Sequence, residues 1–543
     1  MKTHHWTLLK KTVPMVSIII LLSINASLLC VYCVASDQFI INKSYYDRSK
    51  QSTFEQPKII YNRTFGGGSL DWGWAIQRTN DNGFIIGGET VSYGAGGYDA
   101  IMIKTDCMGN EQWNETFGGG QKDGCRSIQQ TKDGGYILSG YADSYGYPGH
   151  DYWLIKTDEQ GNEQWSKIFG GTGSDASYSV CQTSDEGFIL TGYSYSYSSG
   201  GNDVWIVKTD MNGNEQWADN FGRNGNEYGM SIKETLEGDF IIVGSTDKHL
   251  QGDTDLWVLK IDENGTKIWD RIYGGTGNDW GGSITLRSDG GYIITGDTTS
   301  FGQGGFDVWL LNIDEDGNKL WDVTFGDEFH HETGYCVQQT QDDGFVITGS
   351  STIIETSYSD LLIIKTDTNG NKEWISTVGG AYGDVGYSVV ETISGDIAVV
   401  GYTDSFGSGN RDIWLLVFGF YQPPEKPIVA GEMTGKIGET LSYNAVSSSQ
   451  YHNLIYYLFD WGDGNKSEWV GPYSFGEICE MSHSWTELGN YEIVVKAKDG
   501  RGYESQWSDP ISLKIQKNKI FDLNIVNIYK FFVKNTIYLI FIY

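Results

Sequence analysis

One unit of 52 residues repeats seven times along this chain. Its opening Phe-Gly signal recurs at Phe65, Phe117, Phe169, Phe221, Tyr273, Phe325 and Val378, with every step 52 residues except the sixth, which is 53. Units of this length bury their apolar faces only by stacking on one another. Residues 117–168 show the pattern inside one unit. A short alternating run (127–131) is followed by a tight Asp133-Gly134-Gly135 turn, an apolar run (136–142), a Gly/Tyr/Ser loop (143–150), a second apolar run (152–157), an Asp158 to Asn162 turn and a return segment (163–168). Four short strands bounded by turn residues, with no helical period, read as one blade of a propeller.

The ends of the array predict closure. The seventh unit stops after its third strand, at residues 413–417. Residues 59–64 stand before the first unit and align with 111–116, with Tyr61 in the register of Trp113. This N-terminal strand is expected to complete the last blade, so that few sheet edges stay open. With the innermost strand first, the Phe-Gly-Gly crossing between blades shares a face with the loop joining the second and third strands. The tight turns lie on the other face.

The net charge of −32 argues against nucleic acid, whose phosphates need Lys and Arg. Residues 1–35 read as a signal peptide or signal anchor. Lys2, Lys10 and Lys11 precede an apolar run from Val13 to Ala35, with Cys33 and Ala35 at the −3 and −1 positions. Residues 36–57 read as a linker. Five cysteines remain, in different registers of the repeat, which is no disulfide framework.

Two acidic positions recur in every unit. Asp99, Asp151, Asp203, Asp255, Asp307, Asp360 and Asp412 precede the third strand, where a carboxylate ties loop amides together. Asp71, Asp123, Asp175, Glu227, Asp279, Glu332 and Asp384 precede the innermost strand. There they either brace the crossing loop or ring one mouth of the channel and attract a cation such as Ca²⁺. Trp72, Trp74, Tyr228, Trp280 and Tyr382 add aromatics to the same face. They are candidates for ligand binding, against the alternative that they cover the face and brace its glycine-rich loops. No GxSxG, HExxH or phosphate-loop motif occurs, and adjacent His330 and His331 would point to opposite faces of a strand.

The outer strand carries Trp113, Trp165, Trp217, Trp269, Trp321 and Trp374, each seven residues after an Asp. This Asp-x-x-Gly-x-x-x-Trp pattern resembles the tryptophan-docking repeat of quinoprotein-type propellers, which implies an indole that locks blade to blade. Beyond a stiff Pro-rich linker (421–427), the motif Phe459-Asp460-Trp461-Gly462-Asp463-Gly464 leads to His483-Ser484-Trp485 and to Gly489-Asn490-Tyr491-Glu492-Ile493-Val494-Val495. Residues 428–516 closely resemble a PKD (polycystic-kidney-disease-type) domain, which implies an immunoglobulin-like sandwich with Tyr491, Ile493 and Val495 turned to its core. Residues 517–543 form an apolar tail.

The fold expected is all-β: a seven-bladed propeller over residues 58–420, followed by the PKD-like sandwich. The propeller resembles secreted or cell-surface families of archaea and bacteria that often carry PKD modules. That likeness carries architecture only; the loop-rich face, the export signal and the PKD-like module lead to the expectation of a non-enzymatic extracellular or cell-surface binding or adhesion protein, presenting its loop face to a surface glycan or a protein. The alternative is an extracellular polysaccharide lyase or hydrolase using channel-mouth carboxylates, since two carboxylates suffice for acid–base work on sugars. A third reading, a quinone-dependent oxidoreductase, rests on the tryptophan register alone. Membrane association through the N-terminal segment or the tail is a further expectation.

Overall fold

A computed structural model describes the backbone of residues 41–43, residues 57–419 except 224, 248–253 and 356, and residues 423–517 except 449–453, 475 and 501. The chain divides into two units between Phe420 and Tyr421.

The first unit is a seven-bladed β-propeller. Asp71–Arg78, Phe84–Thr90, Asp99–Thr105 and Glu111–Phe117 form the first antiparallel blade, paired in sequence order from inside outward. Five further sheets repeat that order. The seventh takes Asp384–Glu391, Ile397–Thr403 and Asp412–Gly419, and its outer strand is Lys58–Phe65 from the N-terminus. Phe65 pairs with Ile413 and Asn62 with Leu416. Closure is therefore as the sequence predicted. Ile41–Lys43, within the expected linker, adds a fifth strand outside Lys372–Gly379 of the sixth blade. An outer edge leaves N–H and C=O groups unpaired, and a passing segment satisfies them.

The seam between the last and first blades is made as the others are. The Val180 amide donates to Ser127 Oγ of the preceding blade, Ile232 to Ser179 Oγ, and Ile76 to Ser388 Oγ across the seam, each at 3.3 Å. Second and third strands such as Tyr136–Ala142 and Asp151–Thr157 are buried throughout. Sheets stacked on both sides leave them no wet face, and near-continuous apolar runs result.

The outer tryptophans lock blade to blade, as their register implied. Five of the six indoles, Trp113, Trp165, Trp217, Trp269 and Trp321, cover the turn glycine of the next blade. Added Cβ atoms at Gly161, Gly213 and Gly370 would stand 2.8 Å or less from Trp113, Trp165 and Trp321. Tyr61 covers Gly109 in the same way, as its alignment with Trp113 required. On the tight-turn face a second recurring device clamps five of the seven blades. The ammonium of Lys208 bonds Asp185 at 2.9 Å, the Thr209 carbonyl at 3.0 Å and Gln216 Oε1 at 3.2 Å. Lys104, Lys156 and Lys365 make the same ion pair with Asp81, Asp133 and Asp342.

The second unit is a sandwich. One sheet holds Ile428–Gly431, Thr440–Val446 and Cys479–Ser484. The other holds Thr434–Lys436, Ile511–Gln516, Gly489–Asp499, Leu454–Asp460 and Val470–Ser474. Ile493 and Val495 are buried in the core beside Trp461 and Trp485, and Tyr491 packs on its edge. His483 stacks on Trp461 with ring centres 4.9 Å apart and bonds Asp463 at 2.8 Å. The PKD-type motif residues therefore interlock.

Candidate functional site

The face that carries the crossing loops is built on one repeated irregularity. All seven innermost strands have a bulge three residues after their acidic position, as between Gly73 and Ala75 or between Gly386 and Ser388. A bulge re-aims the extra residue. Here that residue is Trp74, Arg126, Tyr178, Met230, Gly282, Tyr335 or Tyr387. Several of these pack on each other across blades. Trp74 and Tyr387 have ring centres 4.2 Å apart, Tyr335 and Tyr387 5.1 Å, and the Arg126 guanidinium lies 3.8 Å from the Trp74 ring. Arg126 also pairs with buried Glu89 at 3.0 Å.

The seven carboxylates expected either to brace the crossing loops or to ring the channel mouth are buried within those loops. Asp71 accepts from the Thr90 and Ser92 hydroxyls and from the Gly67 amide. Asp279 and Asp384 repeat the arrangement with Thr298, Ser300 and Gly275, and with Thr403, Ser405 and Gly380. Asp175 accepts from the Ser196 hydroxyl and the Gly171 amide, Asp123 from the amides of Gly119, Asp143 and Ser144, and Glu227 from Thr246 and the Arg223 amide. Their oxygens are committed to local donors, which is the bracing alternative, because a short polar side chain next to a tight crossing finds backbone N–H first. Glu332 is the exception: it accepts from Ser351 at 3.3 Å and leaves its second oxygen buried without a donor. The other acidic series ties loop amides as expected, with Ala95 donating to Asp99 at 2.8 Å and Ser408 to Asp412 at 2.9 Å.

The five candidate aromatics do not form one cluster. Trp74 belongs to the channel stack. Tyr228 packs on Tyr193 and accepts a hydrogen bond from Asn202 at 2.8 Å. Trp280 is 39% exposed and pairs across strands with Asp297. Trp72 packs at a tilt against Tyr98 and lies beneath Arg411, whose guanidinium is 5.2 Å from its ring. Tyr382 is 56% exposed and lines an open cleft of about 600 Å³ with Tyr358, Tyr402, Asp404, Asn410 and Arg411. Arg411 connects these last two candidates, because it also lies 3.6 Å from the Tyr402 ring centre.

Other rings of the face do brace it. The hydroxyls of Tyr93, Tyr145 and Tyr197 donate to the carbonyls of Gly66, Gly118 and Gly170. Sequence reasoning missed Tyr358, Tyr402, Asp404 and Arg411. The signal was a variable pair that flanks each loop between second and third strands. That pair is Asp404 and Arg411 in the last blade, Asp143 and His150 in the second, and Asp247 and Thr254 in the fourth, and each pair bonds across the loop base.

No family model matches the chain, and no curated protein matches it. Among solved structures, the PKD domain of an M14-like peptidase from Thermoplasmatales archaeon SCGC AB-540-F20 is similar at 39% identity. The likeness covers 18% of this chain and 100% of that domain, with a TM-score of 0.18. The C-terminal unit is a PKD-like sandwich. This PKD-like unit and the propeller together make the chain all-β across its described residues. The N-terminal segment read as a signal peptide or signal anchor, and the apolar tail beyond residue 517, lie outside the described residues.

Proposed function

We propose that this chain is a non-enzymatic binding protein of the cell exterior, whose propeller takes a glycan in the cleft between its sixth and seventh blades. The observation that carries this reading is the composition of that cleft. Tyr358 and Tyr382 stand nearly perpendicular, with ring centres 6.3 Å apart, and both are more than half exposed. Arg411, held by two bonds to Asp404, and Asn410 supply planar polar groups beside them. Apolar ring faces next to fixed hydrogen-bonding groups suit a sugar, which has an apolar C–H face and a rim of hydroxyls. A protein loop is the second ligand class that such a surface fits.

Export through the N-terminal segment, with the PKD-like unit as spacer or adhesive module, belongs to the same proposal. A polysaccharide-degrading enzyme remains the second reading, and Asp297 is the observation that favours it. Burial, and then the Asp279 carboxylate, push its carboxyl up to about 7, a value suited to a general acid.

The test is a glycan array probed with the full chain, then calorimetry on any sugar retained. Tyr382→Ala and Arg411→Ala are expected to weaken binding about tenfold or more, since stacked and hydrogen-bonded anchors of this kind are each worth roughly 1–2 kcal/mol. Retention of a sugar at full affinity by both variants overturns the cleft assignment. Release of reducing or unsaturated ends from that sugar, lost in Asp297→Asn, replaces it with the enzyme.

A further inference from the structure

We propose that Asp327, His330 and Glu332 form a binding site for a divalent transition ion of the zinc class, set into the crossing from the fifth to the sixth blade.

The repeat departs from its own rule at this one crossing. Other blades read Phe-Gly-Gly or a near variant, then three residues, then the acid. Here the text is Phe325-Gly326-Asp327-Glu328-Phe329-His330-His331-Glu332, one residue longer, with an Asp where most blades have the second Gly. The added length brings a ring nitrogen and a second carboxylate to the recurring acidic position. One oxygen of Asp327, His330 Nδ1 and one oxygen of Glu332 all lie within 4.8 Å of one another. His330 Nδ1 is 2.8 Å from Asp327 Oδ1 and 3.9 Å from Glu332 Oε1. These separations bracket the ~3.4 Å between neighbouring ligands of a tetrahedral ion with bonds of about 2.0–2.2 Å.

An independent observation concerns the donors. In the first, third, fifth and seventh blades a serine hydroxyl caps the acid: Ser92, Ser196, Ser300 and Ser405. The same register of the sixth blade holds Ile353, which has no donor to offer. Glu332 is 95% buried, by its 5% exposure, and its Oε2 is without a hydrogen-bond donor. An uncompensated buried carboxylate oxygen is costly, and a cation removes that cost. Asp307 adds to the demand, because its Oδ1 and Glu332 Oε2 are both among the atoms that a Cβ added at Gly326 would meet, which puts two carboxylates beside that glycine.

The donor set selects the ion. An imidazole nitrogen with two carboxylates suits zinc and its neighbours, whereas calcium takes oxygen ligands. Binding replaces the Nδ1 proton of His330, which leaves to solvent. Asp327 is 38% exposed, so the fourth position faces water. His331 takes no part, since its Nδ1 accepts from the Phe306 amide at 3.1 Å. The two histidines do point apart, as their adjacency in a strand required.

The test uses the full chain stripped with chelator and titrated with Zn²⁺ by calorimetry and with Co²⁺ by visible absorption. One equivalent of each is expected, with cobalt bands of low-coordinate type, and a rise in melting temperature on adding zinc. His330→Ala and Asp327→Asn should each lose that equivalent or weaken it by about 100-fold or more. Asp327 is at the surface, so its variant keeps the fold and answers even where His330→Ala does not. Binding of zinc at unchanged stoichiometry and affinity in Asp327→Asn, or binding of Ca²⁺ alone, overturns the assignment. So does a chain that takes up neither ion and holds only the His330–Asp327 hydrogen bond.

Discussion

Arg411 and Asp404 face each other across a loop base with both guanidinium contacts at 2.7 Å: Nε to Oδ1 and Nη2 to Oδ2. Seven residues separate them, and the pair is only about a quarter exposed. Burial works against the Arg411 charge, yet the bonds to Asp404 and the neighbouring Tyr402 hold it above its ordinary range. A fork of this shape cannot be supplied by an ammonium. Arg411→Lys is therefore expected to cost about 1–2 kcal/mol in urea unfolding. Equal stability of the two proteins would show that the fork contributes shape and no energy.

The outer-strand tryptophans need a glycine beneath them. Gly161 has φ near +89°, and a Cβ there would also stand 2.8 Å from the Trp113 ring. Gly161→Ala combines backbone strain with overpacking and is expected to cost about 2–4 kcal/mol. Gly238, which has positive φ and open space around it, is the control, and only the strain should register there. Thermal melts of the two variants settle whether indole contact or conformation dominates.

Lys208 is buried while its partner Asp185 is half exposed. Burial raises the Asp185 carboxyl, but bonds from Thr183 and Lys208 outweigh it and hold the group below its usual value. Removing the acid strands a buried ammonium, whereas removing the lysine strands nothing buried and charged. Asp185→Ala should cost about 1–3 kcal/mol and Lys208→Met less than about 1 kcal/mol. The reverse order in chemical denaturation sinks the clamp as described.

Two opposite pH responses are built into the fold. Asp81, Asp133, Asp185 and Asp342 lie below their ordinary values, so their contribution is present above about pH 4 and is lost as pH falls through their folded values. Asp297 is raised to about 7 and Asp151 to about 6, so their contribution is present below about pH 4 and is lost as pH rises through 6 and 7. The melting temperature should therefore decline between pH 5 and 8. Asp297→Asn should flatten part of that decline and raise the melting temperature at pH 8. A variant whose pH profile overlays that of the parent rules out the Asp297 contribution.

Closure depends on a strand borrowed from far away in sequence. Without residues 58–65, the strand Asp412–Gly419 becomes a bare edge and the Tyr61–Gly109 contact is lost. A chain truncated to begin after Phe65 is expected to melt at least roughly 10 °C lower and to aggregate. An unchanged melt would mean that the ring is held by its inner strands alone.

Much of this was legible in sequence because the repeat displays its own rules seven times. Strand order, the N-terminal seal, the docking tryptophans and the amide-tying aspartates each follow from a register that recurs. The candidate site was less legible. Trp72 and Tyr382 were singled out, but Tyr402, Asp404 and Arg411 were not, because they occupy positions where blades differ and no single blade shows what a variable residue will touch. The carboxylates before the inner strand were placed in the right loops, but the sequence left bracing of the loop and a ring open to cations as alternatives. Whether a carboxylate faces water or an amide depends on donors such as Ser92, which lies 21 residues from Asp71.

The sequence by itself determined the architecture, since period, strand alternation and turn residues are local and act within about 50 residues. Only the tertiary structure decided where chemistry gathers. Bulges aim Trp74 and Tyr387 from the first and last blades into one channel, and ring closure lays Arg411 over Trp72, 339 positions earlier in the chain. Contacts of that kind depend on the angle at which sheets meet, which is set by packing of all seven together and is written in no one repeat.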